Sequence, residues 1–288
     1  MNLPDFTAPL WFLILTVSFF AVITGRYFII AGAFYLMFYI WWPSKWEQRK
    51  LHRKEYRKGQ LGTEIRWSVI TGLLFALVGA GTVVLWQKGA TLVYADPLRY
   101  GLWYLPASLV VSMLLHETYY YWLHRWMHQP RVFRIVHKVH HDSRITSPFT
   151  AFSFHPLEGF LQAIFFPLLL MILPLHYDVI IVQLVIMTFS SVINHLDIEL
   201  YPKGFSRNAL GRWLIGATHH SLHHTQFKFN FGLYFTFWDK LRDTESPVFN
   251  SLFDQATRSP ANGAPQITGS VKMSASGRDA VSLSQKPT

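Results

Sequence analysis

Long apolar runs are the feature that most limits how this chain can fold. Residues 8–43 are almost wholly apolar, with Arg26 as the single charge among them, and further apolar runs cover 67–86 and about 101–123. A helix needs about 20 residues to cross the hydrocarbon core of a bilayer. The first run is too long for one crossing, so we expect two crossings hinged at residues 24–26.

The second half of the chain adds two shorter apolar pieces. They cover 157–175 and 179–193 and are interrupted by Pro174 and Asp178, which predicts either a re-entrant hairpin or two slightly short crossings. Only 15% of all residues are charged, whereas soluble domains usually carry about 25%. We therefore predict an all-α, multi-pass integral membrane protein.

The distribution of basic residues predicts the orientation in the membrane. Residues 45–66 carry eight Lys or Arg against three Glu, and the positive-inside rule places such a loop in the cytoplasm. Counting crossings from there puts 87–100 outside and returns the chain to the cytoplasm at His124 and again at Asn194. Contact with membrane lipids then explains the net charge of +10, and we expect no nucleic-acid partner.

Histidine is concentrated in one part of the chain, with thirteen of the fourteen histidines between His116 and His224. Three groups have spacings of three or four residues, which on a helix bring side chains within about 5–6 Å of one another. Imidazoles at that separation can converge on a metal ion. The groups are His124 and His128; His137, His140 and His141; and His220, His223 and His224.

Eight ligands are too many for one ion, because a structural zinc site uses four and a catalytic one uses three plus water. The count predicts two ions in a histidine-rich helical cap. The absence of cysteine excludes thiolate sites and iron–sulfur clusters, while imidazole suits Zn, Cu, Fe and Ni. Glu117 follows His116 but does not complete the H-E-x-x-H pattern of zinc hydrolases, which favours redox chemistry.

Other functions for these histidines stay open at this point. A pH sensor would use their titration near neutral pH, although eight packed imidazoles would repel one another once protonated. A membrane metal-ion transporter, a zinc-dependent hydrolase and a haem-binding electron carrier are further alternatives. Most of these histidines lie at or beyond the ends of the apolar runs, and this position favours tight metal capture over transport.

At its histidine groups the chain resembles the fatty acid hydroxylase/sterol desaturase superfamily. The similarity covers roughly residues 104–244 and includes all three histidine boxes of the family. The matching segments are, in chain order, His116–His128, Phe133–His141, Pro148–Glu158, Asn194–Asp197, Thr218–His224 and Asn230–Asp239.

This resemblance implies a mainly helical membrane fold with a non-haem di-iron centre, O2 as co-substrate and oxidation of a lipid. It carries the metal role onto the eight histidines of the three groups. His195 is a ninth candidate ligand, because it opens a cytoplasmic segment. His116 lies two turns before His124 and is left out, whereas His52 and His176 are expected to be structural.

Six further residues are candidates for ligands or for residues behind the ligands. His155 is a candidate for either role, and His219 is placed behind the ligands because its side chain points about 100° away from that of His220. The remaining four are expected to hold the ring nitrogens that face away from the metal. They are Asp142, Asn194, Asp197 and Asp239.

The resemblance also implies an external supply of electrons, because no nucleotide-binding or haem-domain signature is fused to the chain. Arg131, Arg134, Lys138 and Arg144 would dock an acidic carrier, of the ferredoxin or cytochrome b5 type with its reductase, or would anchor to phospholipid headgroups. The boxes distinguish neither hydroxylation from desaturation nor one lipid from another, although the segments around His195 and Trp238 look most like those of sterol desaturases.

The composition divides the chain into three parts. Residues 1–100 hold the first membrane helices and the basic loop, and residues 101–246 hold the histidine-rich catalytic domain. Residues 247–288 are rich in Ser, Pro, Gly, Ala and Gln without periodicity. We expect that tail to be disordered.

Overall fold

The computed structural model describes residues 3–258, and in that range the chain is helical, with three isolated β-bridges and no strand. The all-α prediction is confirmed. The helices of eight or more residues are α1 (Pro9–Tyr35), α2 (Gln60–Gln87), α3 (Tyr104–Met127), α4 (Pro156–Ala163), α5 (Phe165–Ile172), α6 (Tyr177–Asn194), α7 (Ala217–Gln226) and α8 (Phe249–Ala256).

Shorter helical pieces connect these elements. Three consecutive ones, Pro130–Val132, the π-helical Phe133–His137 and Lys138–His141, form what we call the central histidine segment. The others are the π-helical Leu36–Trp41, Pro43–Trp46, Glu47–Arg49, Pro148–Phe152, Phe205–Arg207, Gly211–Trp213 and Phe237–Leu241.

The first apolar run forms one helix, so the expected hinge at residues 24–26 is wrong. α1 continues into the π-helical turn, and the whole Pro9–Trp41 stretch is a single 33-residue candidate span. A glycine inside a helix costs only about 1 kcal/mol relative to alanine, and no proline accompanies Gly25 to break the helix. α1 packs antiparallel to α2, where a Cβ on Gly72 would lie 2.8 Å from Thr24.

Three helices of the described range are long and apolar enough to cross a membrane: α1 with its extension, α2 and α6. The expected fourth crossing forms a helix, α3, but is not among them, because its buried face carries Ser108, Ser112, His116 and Glu117.

The α4–α5 pair and α6 run in opposite directions and reach the end of α2. The Leu92 amide, five residues beyond α2, donates to Leu170 O at 2.7 Å, and the Tyr94 amide donates to Leu175 O at 3.1 Å. This depth favours two short crossings over a re-entrant hairpin.

The histidine-bearing segments lie at the opposite end of the helices, together with the basic loop. Lys50 forms a bridge with Ile198, and the Leu51 amide donates to Asp197 O at 2.9 Å. Phe38, in the extension of α1, packs against Leu196 and Ile198. The loop and the histidine groups therefore share one end, as the count of crossings predicted.

The expected disordered tail begins instead with a helix. α8 buries Phe249 and Phe253 against Leu222 of α7. Its apolar residues recur at helical spacing, a local pattern that the overall composition of the segment does not reveal. The remainder of the expected tail, 259–288, lies outside the described residues.

Candidate metal centre

Nine histidines come together in two buried groups. Within each group, one nitrogen from every ring lies within 4.8 Å of the corresponding nitrogen of every other ring. The five-histidine group contains His124, His128, His137, His141 and His223, and the four-histidine group contains His140, His195, His220 and His224. The nine are the eight predicted ligands and His195.

In the five-histidine group the Nε2 atoms face one another. Nε2 of His124 lies 3.0 Å from Nε2 of His137, which lies 3.1 Å from that of His141. Nε2 of His223 is 3.1 Å from both His141 and His128. Four of the five side chains are buried, and His128 is partly exposed.

The four-histidine group has the same inward arrangement. Nε2 of His195 lies 3.2 Å from that of His140 and 2.9 Å from that of His220. Nε2 of His224 lies 3.2 Å from that of His220. All four side chains are buried.

Each of the two triplets supplies both groups, which the spacing alone did not show. His220 and His224 belong to the four-histidine group, whereas His223 belongs to the five-histidine group. The central segment is divided likewise, with His137 and His141 on one side and His140 on the other. At 100° per residue, the residue four positions further along a helix points about 40° from the first, while the residue three positions further along points about 60° away on the other side.

Hydrogen bonds on the outer side of the rings set the tautomer. Nδ1 of His124 donates to Phe231 O at 2.9 Å, and Nδ1 of His223 donates to Phe229 O at 2.8 Å. A proton on Nδ1 leaves a lone pair on the inward Nε2, as metal binding requires. The other bonds of this kind join His137 to Glu158 (2.8 Å), His140 to Ser153 O (3.3 Å) and His195 to Ser191 O (2.7 Å).

This donor set fits metal cations. Burial lowers the pKa of His195 to about 4 and holds the pKa of His220 and of His224 well below its ordinary value. The rings are therefore neutral, and their converging lone pairs repel one another unless a cation lies between them. Five and four imidazoles suit two first-row transition-metal ions.

The two further histidine candidates lie outside both groups. His155 is half-buried, and its Nδ1 accepts a hydrogen bond from the Leu157 amide at the start of α4. His219 is buried against Phe249, and its Nε2 lies 3.9 Å from Asp239. His116, which was left out, is also outside and accepts or donates a hydrogen bond with the Tyr234 hydroxyl at 3.0 Å.

The four expected partners of the outer ring nitrogens do not contact the grouped histidines through their side chains. Asp142 is exposed and pairs with Lys138 at 3.0 Å, while Asp197 pairs with the structural His52 at 2.6 Å. Asn194 donates to Leu233 O at 3.0 Å. Backbone carbonyls bind the outer nitrogens of four of the grouped histidines instead, and the side chains of the four expected partners bind elsewhere.

Asp239 supports the ligands through the backbone. Its carboxylate accepts hydrogen bonds from the amides of Phe231 (2.9 Å) and Gly232 (3.0 Å). These bonds fix the loop in which the Phe231 carbonyl accepts the hydrogen bond from Nδ1 of His124. Burial raises the pKa of Asp239 to about 6.

Glu158 is the contact that sequence reasoning missed. Its carboxylate is fully buried and accepts the hydrogen bond from Nδ1 of His137. It is separated from His137 by 21 positions along the chain, and no local spacing links the two residues. Its place within the family-like Pro148–Glu158 segment was the only available signal.

Two buried groups of histidines, held at one end of a bundle of apolar helices, define a membrane protein with a candidate two-metal site. Residues 109–244 match the fatty acid hydroxylase family. This match and the sterol desaturases among the curated relatives support placing the chain in the fatty acid hydroxylase/sterol desaturase superfamily.

Curated relatives share moderate identity with the chain. It is 29% identical to human lathosterol oxidase over 65% of its own length and 62% of the relative's. It is 28% identical to the Delta(7)-sterol 5(6)-desaturase of Saccharomyces cerevisiae, covering 80% of this chain and 63% of the relative. The chain thus spans less than two thirds of the length of these relatives. No solved structure matches it significantly.

Proposed function

We propose that the protein is an O2-dependent lipid-oxidising enzyme, a desaturase or hydroxylase, with two non-haem iron ions bound by the nine grouped histidines. The observation that carries the proposal is the convergence of nine neutral imidazoles into groups of five and four in a chain of this superfamily. A sterol-like or fatty-acyl lipid is the proposed substrate, and the sterol desaturases among the relatives favour the first of these.

Iron in these groups would activate O2 and remove hydrogen from an unactivated C–H bond, which no amino-acid side chain can do. Desaturation takes two hydrogens from the substrate, while hydroxylation inserts one oxygen atom. In both reactions two electrons and two protons from outside complete the reduction of O2, which yields two waters in desaturation and one in hydroxylation.

The chain's own residues hold the ligands and keep water away. The carbonyls of Phe229 and Phe231 and the carboxylate of Glu158 fix the direction of three rings in the five-histidine group. Phe231 packs edge-on to His124, with 5.7 Å between ring centroids, and Phe154 lies 5.0 Å from His140. These apolar rings shield His124 and His140 from water on the sides that they cover.

We further propose that the site lies on the cytoplasmic side and receives electrons from an acidic carrier, of the ferredoxin or cytochrome b5 type with its reductase. The basic loop and the histidine groups share one end of the helices, which supports this orientation. Arg131 and Arg134 are exposed beside the five-histidine group and are available for an acidic partner.

The first test is the metal content of the purified protein in detergent, with one variant for each group. We expect about two irons per chain, and a fall to about one or less in both His140→Ala and His223→Ala. The matched control is His176→Ala, whose ring bonds to Ala95 O far from both groups. Stoichiometric zinc, or full metal retention in both variants, would instead support a hydrolase or a transporter.

The second test is turnover with isotopically labelled O2, a reductant and candidate lipids. Loss of two hydrogens from the lipid without label identifies a desaturase, and label in the lipid identifies a hydroxylase. Iron-loaded protein that oxidises neither sterols nor fatty-acyl lipids would contradict the proposed substrate class.

A further inference from the structure

A cavity lined by several charged residues lies directly beside the five-histidine group. Its volume is about 500 Å3, and its walls come from the basic loop, the central histidine segment, the residues that follow that segment up to Ile145, and Phe227. The imidazole of His141, a member of the five-histidine group, forms part of the wall. The proposed oxidation chemistry gives this cavity no role.

The charges around the cavity favour an anion. Four cations line it, Lys54, Arg57, Lys138 and Arg144, against the carboxylates of Glu55 and Asp142. Asp142 is already paired with Lys138. Within residues 3–258, the other three cations form no ion pair. Two of the three are arginines, whose planar guanidinium suits the oxygens of a phosphate.

The cavity lies at the level of lipid headgroups. Gln60, the first residue of the candidate span α2, lines it. Trp41 and Trp42, at the same end of α1, are 60% and 50% exposed, as expected for an aromatic belt at the membrane surface. The volume falls within the range of about 300–1,000 Å3 typical of small-molecule sites, whereas a docked protein would cover a broad surface.

Phe227 lies next to His141 in the wall of the cavity. Its ring lies tilted against that of His141, with 4.9 Å between centroids, and the Arg144 guanidinium lies 5.7 Å from the Phe227 ring centroid. Phe227 has φ +64°, a conformation that an aromatic residue rarely adopts and that surrounding structure must hold in place. A ligand that engages Arg144 would therefore also fix the ring that covers His141.

We propose that this cavity binds the anionic phosphate group of a small ligand, either a phospholipid headgroup or a soluble phosphate. When bound, the ligand covers the side of the five-histidine group that faces the cavity, next to His141. Arg131 and Arg134 do not line the cavity, so they stay available to an electron carrier. This inference does not depend on which lipid, if any, the protein oxidises.

The test is calorimetric titration of the purified full chain in detergent with three probes: short-chain phosphatidic acid, short-chain phosphatidylcholine and inorganic phosphate. We expect phosphatidic acid to bind more tightly than phosphatidylcholine. Comparable binding of inorganic phosphate would identify a soluble ligand, whereas binding of the lipid alone would identify a headgroup.

Two variants separate the cavity from general surface charge. The double variant Arg57→Gln and Arg144→Gln removes two cations, and Ile145→Trp fills the cavity while keeping every charge. Both should weaken binding of whichever anionic probe binds the native protein by about tenfold or more, and Lys203→Gln, at an exposed site outside the cavity, should not.

Unchanged metal content in each variant verifies its fold. The inference is overturned if phosphatidic acid and phosphatidylcholine bind equally and inorganic phosphate does not bind, or if Ile145→Trp binds as the native protein does.

Discussion

The Oε1 atom of Glu158 lies 2.8 Å from Nδ1 of His137, and both side chains are fully buried. A carboxylate in this position orients the ring and makes its inward nitrogen a stronger electron-pair donor to a metal. Loss of such a contact typically reduces metal affinity by about 10–100-fold. We expect Glu158→Gln, which keeps the size of the side chain but not its charge, to weaken metal binding. Metal content measured during titration with a chelator checks this.

The matched control is Glu245→Gln, which breaks the partly exposed pair with Lys240. Metal affinity should then stay within about twofold of the native value, because such pairs contribute little. Native affinity in Glu158→Gln would show that the carboxylate has no part in holding the ligand.

Asp239 is expected to matter for metal binding although it contacts none of the nine histidines. In Asp239→Asn the amide nitrogen cannot accept, so one of the two backbone N–H groups of Phe231 and Gly232 loses its acceptor, at a cost of about 1–3 kcal/mol. The loop that carries the Phe231 carbonyl, the hydrogen-bond acceptor of His124, is then held less firmly. The five-histidine group should therefore lose metal before the four-histidine group does. Spectroscopy of the two metal sites tests this order.

The control for that experiment is Asp254→Asn, in which the surface pair with Arg207 is lost. It should leave both sites occupied. Simultaneous, equal loss from both groups in Asp239→Asn would argue for general unfolding instead of a local effect.

The metal-free protein should become less stable as the pH falls below about 6.5. Burial lowers the pKa of His195 to about 4 and the pKa of His220 and of His224 well below its ordinary value. Between these limits the unfolded chain takes up protons that the folded chain does not, so the free energy of unfolding decreases with decreasing pH. Melting temperatures in detergent between about pH 7 and pH 5 measure the effect.

Replacing His195, His220 and His224 together by glutamine should make this dependence shallower, since three of the histidines whose pKa is lowered by burial are then gone. A slope equal to that of the native protein would assign the pH effect to other residues.

α8 is expected to stabilise the four-histidine group through α7. Phe253 is 2% exposed and packs with Phe249 against Leu222. Phe253→Ala should reduce the free energy of unfolding by about 3–5 kcal/mol, as for other buried aromatic residues. Thermal unfolding checks this against Ser251→Ala, an exposed position on the same helix, where a change above about 0.5 kcal/mol is not expected.

The grouped histidines could be predicted from sequence because their spacing repeats locally. His137, His140 and His141 have the same spacing as His220, His223 and His224, and metal binding is the simplest physical reason for such a repeat. The division of each triplet between two groups required the helix orientation, because it depends on what faces each side of the segment.

The residues that contact the outer ring nitrogens were less predictable, since several of them are distant in sequence from the histidines that they contact. Asp142 is next to His141 in sequence yet faces solvent, whereas Glu158 is distant in sequence yet buried against His137. Four of the outer nitrogens, those of His124, His140, His195 and His223, are held by backbone carbonyls. Every residue has a carbonyl, so residue identity carries no signal for these contacts.

Because α1 and its extension form one candidate span, we expect the two ends of Pro9–Trp41 to lie at opposite faces of the bilayer. The Phe6 amide donates to Gln87 at the last residue of α2, while Tyr39 contacts Leu196 beside the histidines. A reporter fused ahead of residue 9 would therefore sit in a different compartment from one inserted in the basic loop, whereas two crossings would have put both in the same one. Compartment-specific labelling of paired reporters thus provides a map of membrane topology that needs no enzymatic assay.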